Sequence, residues 1–417
     1  MTERPPSADS TPEASGEFLV FGSPVIGEAE IAEVVDSLRS GWIGTGPKVV
    51  RFQRMLEDYI DVPYVRCLSS CSAALLLGMK VLGVGAGDEV IVPTMTFAAS
   101  ANAVEHTGAT AVLVDCEPGT GNIDLAAAEA AIGPCTKAMM IVHFAGRPVD
   151  MDRVNALRDR YGLLIVEDAA HALGAEWRGR RIGGHGNLVV YSFYATKNIT
   201  TAEGGALATD RPDIAEQVER LALHGLSAGA WERYSDAGFV HYEVEQPGYK
   251  LNMTDLHAAL GVHQLPRLDR WIDRRAEAWQ RYGELLGDLP FELPPRPSVA
   301  GRHARHLYQV LVRPDAGVTR DELLSHLQRS RVGAGVHYRA IHLHPYYQRR
   351  YGIRPASLPV ATDMSERTLS LPLSPGLLDA DLRRIAHALA SAVARKGTPR
   401  PACLLPRATR PSRVSPG

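Results

Sequence analysis

Between residues 18 and about 260, short apolar runs alternate with amphipathic stretches. The runs are Tyr64–Leu68, Glu89–Val92, Ala111–Asp115, Ala138–Phe144, Leu163–Glu167 and Val189–Phe193. They are rich in Val, Ile, Leu and Met, and polar alternation is weak within them. That pattern predicts strands buried on both faces. Helices are predicted between most of them, for example over Ser72–Val81 and Met151–Tyr161. Strand–helix alternation of this kind predicts an α/β fold with a mostly parallel sheet and helices on both faces. In such sheets ligands bind outside the carboxyl ends of the strands, so the residues that follow each run are the ones to read for chemistry.

The texture changes after Leu265. Leu265, Leu268, Ile272, Trp279, Tyr282 and Leu286 form one apolar face at helical spacing, and Leu382, Ile385, Leu389 and Val393 form another. These stripes predict a smaller C-terminal α/β domain over residues 265–396, after a large domain over 18–264. Residues 1–17 are rich in Pro, Ser, Thr and Glu, and residues 397–417 carry five prolines and four arginines. Both ends are expected to be disordered tails, because they offer little to bury.

Composition narrows the function. The 417 residues carry 45 Lys+Arg against 47 Asp+Glu, so no basic excess points to nucleic acid or to an anionic membrane. There is no signal-peptide pattern and no apolar run of membrane-spanning length. Cys67, Cys71, Cys116, Cys135 and Cys403 are odd in number and contain no C-x-x-C pair, which fits a reducing cytoplasm.

Candidate chemistry then falls at the strand ends. Asp168 follows the Leu163–Glu167 run, where a carboxylate can hold a pyridinium nitrogen protonated. Alone, it reads better as a helix-capping Asp. Lys197 follows the Val189–Phe193 run. A desolvated lysine can lose its proton and attack an aldehyde, whereas a lone loop lysine is ordinarily solvated. Ser69-Ser70-Cys71-Ser72 runs straight into an apolar helix, giving free N–H groups suited to a phosphate. Phe97 lies just past the Glu89–Val92 run and can stack on a planar ring, although a Phe is more often a buried core residue. Ser192 is a second hydroxyl for the phosphate. The order phosphate cap, aromatic, Asp, Ser, Lys, each at a strand's carboxyl end, is what makes the set informative.

The arrangement resembles the fold-type I enzymes that use pyridoxal 5′-phosphate (PLP). Within them it is similar to the DegT/DnrJ/EryC1/StrS family of sugar aminotransferases, over roughly residues 18–395. The segments that carry the resemblance are Gly44-Thr45-Gly46-Pro47, Glu167-Asp168-Ala169-Ala170-His171, Ser192-Phe193 with Lys197-Asn198, Glu203-Gly204-Gly205 and Pro247-Gly248-Tyr249-Lys250-Leu251-Asn252. The resemblance implies a seven-stranded, mostly parallel sheet and a PLP cofactor held covalently by Lys197, which also moves the proton. It implies that Asp168 pairs with the pyridine nitrogen, that His171 lies near the ring hydroxyl and that Phe97 stacks on the ring. Ser72, Ala73 and Ser192 would bind the phosphate. Asn252 would reach the cofactor of a partner subunit, so a homodimer with shared active sites is expected. One departure is Ser70-Cys71-Ser72, where the family often has Ser-Gly-Thr or Ser-Ala-Thr. The hydroxyl is kept, and Cys71 reads as a packed apolar side chain.

The segments His224-Gly225-Leu226 and Gly335-Val336-His337-Tyr338-Arg339-Ala340-Ile341-His342 are most similar to members that aminate C4 of a nucleotide-linked 4-keto sugar. The expected substrates are a dTDP- or UDP-4-keto-6-deoxyhexose and glutamate, with the pyridoxamine form of the cofactor arising during turnover. His337, Tyr338 and His342 are the expected contacts to the nucleotide sugar. His337, His342 and His344 lack a standard metal spacing, and no metal is expected. The alternatives are a C3 keto-sugar or keto-cyclitol aminotransferase, a sugar dehydratase and a non-catalytic PLP-binding regulator. Lys197 speaks against the dehydratase, whose lysine is replaced by His. The absence of a DNA-binding module speaks against the regulator.

Overall fold

A computed structural model describes residues 17–226 and 243–397. The expected tails, apart from Glu17 and Gly397, lie outside the described residues.

Seven strands form the central sheet: β1 (Tyr64–Leu68), β2 (Glu89–Pro93), β3 (Thr110–Val114), β4 (Thr136–Val142), β5 (Leu164–Asp168), β6 (Leu188–Ser192) and β7 (Gly205–Thr209). Their order across the sheet is β1-β7-β6-β5-β4-β2-β3. All pairings are parallel except those of β7, which runs antiparallel to both β1 and β6. Six strands coincide with the apolar runs to within two residues at each end. The seventh, β7, is Gly-Ala-Leu-Ala-Thr, buried throughout. Its small residues give neither alternation nor β-branched enrichment, so its pattern alone does not mark a strand.

β7 needs its small residues. A Cβ at Gly205 would lie 2.4 Å from the backbone of both Ser70 and Cys71. The strand therefore passes directly under the start of the helix Cys71–Val81, an approach only glycine permits. Leu68 N-terminal to that helix and Gly205 are register partners, which fixes the approach.

Helices cover both faces. One apolar core contains Phe52, Leu56, Ile141, Val154, Ile165 and Tyr191, and the other contains Leu75, Leu77, Val90, Met140, Val166 and Val190. Successive strand residues point to opposite cores, as the period of two requires: Ile165 faces one and Val166 the other. Fully burying each such side chain stabilises the fold by roughly 1.5–3 kcal/mol.

The long helix Leu268–Leu286 links the sheet to the C-terminal part. Leu268, Trp271 and Ile272 belong to the sheet's core, whereas Ala278, Trp279, Tyr282 and Leu286 belong to a third core. That core is completed by a three-stranded antiparallel sheet, β8 (Phe291–Glu292), β9 (Tyr308–Val312) and β10 (Thr368–Leu371), and by the helix Asp379–Gly397. Leu382, Ile385 and Leu389 are buried in it as the sequence stripe predicts. Between the two parts lies a smaller apolar cluster that includes Met95, Phe144, Leu307 and Ala340, with Phe21 and Tyr338 against it. The active-site cavity opens at this seam. No described helix is long and apolar enough to cross a membrane.

Candidate active site

Asp168 is the last residue of β5, and its carboxylate is buried at the floor of the cavity. Ser100 Oγ donates to Oδ2 at 2.8 Å and the Ala170 N–H to Oδ1 at 3.1 Å. Burial raises the Asp168 pKa, and these two donors and the nearby Lys197 oppose the shift without cancelling it. One residue earlier, Glu167 points to the opposite face. Asn187 Nδ2 donates to Glu167 Oε1 at 2.7 Å. His143 accepts the Val149 N–H on Nδ1, so its Nε2–H donates to Glu167 Oε2 at 3.0 Å. β5 is thus tied down beneath the sheet while Asp168 is presented above it.

Lys197 follows β6 through the turn Phe193–Thr196, and its backbone N–H donates to the Tyr194 carbonyl at 2.9 Å. Burial lowers its pKa from 10.5 to about 8, with the Cys71 thiol and Asp168 opposing. About a tenth of the amine is therefore neutral at pH 7, against well under a thousandth for an unshifted lysine. Burial pushes the Cys71 thiol the other way, upward, so it is a protonated lining group and not a thiolate.

The helix Cys71–Val81 begins at the cavity wall. Its cap is Ser70, whose Oγ accepts the Ala73 N–H at 3.1 Å. The N–H groups of Cys71 and Ser72 have no acceptor among the described residues. Those two N–H groups are free to meet an anion, whereas that of Ala73 is engaged by the cap.

Together these elements enclose a cavity of about 340 Å³. Of the residues singled out in the sequence, Ser72, Phe97, Asp168, His171, Ser192, Lys197, His337 and Tyr338 line it. Ala73, Asn252 and His342 do not. His342 is fully buried, with Nδ1 bonded to Thr94 Oγ1 at 2.8 Å and Nε2 to Thr362 Oγ1 at 2.9 Å, so both ring nitrogens are engaged away from the cavity. Its i+5 spacing from His337 shares a segment, not a surface, and the short helical turn Ile341–Leu343 rotates it inward. Asn252 donates from Nδ2 to Thr45 Oγ1 at 2.5 Å, on the segment leading into the helix Pro47–Ile60.

The roof comes from the C-terminal part. His337 bonds Ser370 Oγ through Nδ1 at 2.9 Å and stacks on Phe21, with centroids 5.4 Å apart. Burial lowers its pKa to about 4, so it is neutral in the working range. Tyr338 Oη lies 2.9 Å from His171 Nε2, and its ring is 5.9 Å from that of Phe97. Phe97 is 59% exposed, a large apolar face left open at the cavity mouth.

Sequence reading missed Ser100. It sits one helical turn after Phe97, on the helix Ala98–Glu105, and this i, i+3 spacing was the available signal. Tyr194 and Thr196, which also line the cavity, are not singled out by the sequence, and Glu203 stands out only within the Glu203-Gly204-Gly205 segment.

PLP fits these residues. Asp168 is a buried carboxylate with neutral donors only, and a protonated ring nitrogen supplies the missing cation. Ser72, Ser192 and the unpaired N–H groups of Cys71 and Ser72 match a phosphate. Lys197 matches an aldehyde.

Comparison with known proteins agrees. The DegT/DnrJ/EryC1/StrS aminotransferase family matches residues 24–390. The spore coat polysaccharide biosynthesis protein SpsC of Bacillus subtilis (strain 168) is 45% identical over 374 residues, covering 89% of this chain and 96% of that protein. The PMP form of Spr1654 from Streptococcus pneumoniae, described as a sugar aminotransferase, superposes with a TM-score of 0.84 at 34% identity, covering 91% of this chain and all of that one. The aminotransferase TlmJ from Streptoalloteichus hindustanus gives 0.83 at 32% identity, with 91% and 100% covered. The chain belongs to the DegT/DnrJ/EryC1/StrS family and is a PLP-dependent aminotransferase of fold type I.

Proposed function

We propose that this enzyme moves an amino group from glutamate to C4 of a nucleotide-linked keto sugar, a dTDP- or UDP-4-keto-6-deoxyhexose, in amino-deoxysugar biosynthesis. The carrying observation is that Asp168, buried, and Lys197, half-buried, face one cavity from just at and beyond the ends of neighbouring strands. When bound, the cofactor supplies an electron sink that acidifies the carbon bearing the transferred nitrogen. The chain's residues do the rest. Lys197 Nζ, with a pKa near 8, takes a proton from one carbon and returns it to another. Asp168 keeps the ring nitrogen protonated. Ser72, Ser192 and the start of the helix Cys71–Val81 hold the phosphate, and Phe97 covers the ring. His337, on the roof, meets the sugar, and Tyr338 stands beside it with its ring 5.9 Å from that of Phe97.

The sugar reading is supported by the names of the relatives, one a spore coat polysaccharide protein and one a sugar aminotransferase. The C4 reading rests on the Gly335–His342 segment. Homodimerisation is supported by Asn252, which does not line this chain's cavity and bonds Thr45, three residues after the exposed Trp42. Asn252 would then serve the partner's phosphate.

The test is incubation with glutamate and a panel of nucleotide-linked 3-keto and 4-keto sugars and keto-cyclitols, with products identified by mass and NMR. A 4-amino sugar is expected. Amination only at C3, or only of a cyclitol, overturns the C4 assignment.

A further inference from the structure

His171 and Tyr338 line the cavity, but two residues outside its lining set their geometry. Asn198 follows Lys197 directly. Its Nδ2 donates to the Ala304 carbonyl at 2.8 Å, which turns Oδ1 toward His306 Nδ1, 3.1 Å away. A carboxamide oxygen only accepts, so the His306 proton sits on Nδ1. The backbone anchors this ring at both ends. The His306 N–H donates to the Ala145 carbonyl at 3.0 Å, and its carbonyl accepts from the buried Arg275 at 3.5 Å. The His306 ring then lies against His171, with centroids 4.4 Å apart and planes 30° apart.

The next bond is directional too. His171 Nδ1 accepts the Ala145 N–H at 3.3 Å, so the His171 proton sits on Nε2 and is donated to Tyr338 Oη. Tyr338 has accepted, and its own O–H remains to donate. Burial is the main cause that keeps both imidazoles neutral, and the titratable and charged groups that face them, Lys197, His337 and Arg275, all cationic when charged, add to it. Asp168 and Cys71 are the corresponding neighbours of Tyr338, and they and burial keep its hydroxyl protonated.

We infer that Asn198 and His306 are positioning residues, which hold the His171 ring in the plane from which its Nε2–H makes the Tyr338 hydroxyl a fixed hydrogen-bond donor to the bound cofactor. This rests on the cofactor assignment proposed above. The chain of contacts also explains why Asn198 adjoins Lys197. The residue that carries the cofactor and the residues that bond it from the roof are set by one continuous network, which crosses the seam through the segment His303–Leu307.

The experiment uses the full chain loaded with PLP and follows the cofactor's visible absorbance against pH. Wild type is compared with His306→Phe, Tyr338→Phe and the double variant. His306→Phe keeps an aromatic ring against His171 and removes the Nδ1–H. The midpoint is expected to move by about one pH unit in each single variant, in the same direction. In the double variant it moves no further than in Tyr338→Phe alone, because His306 acts through Tyr338. Additive shifts, or an unshifted His306→Phe beside a shifted Tyr338→Phe, overturn the inference. If His306→Phe fails to fold, Asn198→Ala replaces it with the same expectation: a shift in the wild-type background and none in the Tyr338→Phe background. Wild type without visible absorbance overturns the cofactor assignment and this inference with it. Wild-type absorbance with additive shifts overturns the inference alone.

Discussion

The floor and the roof of the cavity are built differently. The floor consists of residues at the ends of parallel strands. Asp168 is the buried last residue of β5 and is held by Ser100 and Ala170, and the half-buried Lys197 follows β6 after the turn Phe193–Thr196. Beneath them Glu167, His143 and Asn187 form a satisfied buried network. The roof consists of His337 and Tyr338 on an irregular segment, braced by Phe21, Ser370 and His171. A floor made of strand ends cannot move without breaking sheet pairing. A roof made of side chains on a loop can be altered residue by residue. The floor should therefore govern covalent cofactor binding and chemistry, and His337 on the roof should govern which substrate is used.

This contrast can be broken most directly at Lys197. Lys197→Ala should abolish the visible absorbance of the bound cofactor and reduce turnover on the order of 10⁴-fold, with far-UV circular dichroism unchanged. Full absorbance in that variant would mean that the floor does not hold the cofactor covalently. Asp168→Ala should lower kcat by roughly 10²–10³-fold and leave the KM for the sugar little changed, because it removes the partner of the ring nitrogen and not a substrate contact. A large rise in the sugar KM with kcat intact would place Asp168 on the substrate side.

The desolvated lysine also predicts a stability slope in the cofactor-free protein. Lys197 titrates near 8 when folded and near 10.5 when unfolded. Between these values the unfolded chain holds the extra proton, so stability against urea should rise from about pH 8 to 10.5. The slope should be reduced in Lys197→Met. An equal slope in both would remove the desolvated-lysine argument.

Smaller effects sharpen the comparison. His337→Ala, on the roof, should raise the sugar KM severalfold while the cofactor spectrum in the absence of substrate stays that of wild type. Tyr282→Phe, remote from the cavity, should cost about 1 kcal/mol in unfolding free energy by removing the buried bond from Oη to the Pro372 carbonyl at 2.8 Å, with no change in kcat.

The same contrast explains what could be read in advance. Strand ends are legible because an apolar run announces a strand and the residue after it announces an edge. Asp168, Lys197 and Ser72 were found this way, each weak alone and together specific. β7 escaped the pattern because Gly205, Ala206 and Ala208 were chosen for a close approach to the helix Cys71–Val81, not for strand propensity. His342 was read with His337 and Tyr338 because they share a segment. Only the fold shows that it turns inward to Thr94 and Thr362.

By itself, then, the sequence determined the α/β architecture and the chemical identity of the floor, because periodicity and strand-end position are local properties of the chain. The tertiary structure alone decided that Ser100 would brace Asp168 and that Ala73 would be spent on the Ser70 cap. It alone decided that Asn198, His306, His171 and Tyr338, drawn from four separate segments, would meet in one directed network. Such contacts join residues as many as 167 positions apart, as in the bond between Tyr338 and His171, and no local pattern encodes a partner at that separation.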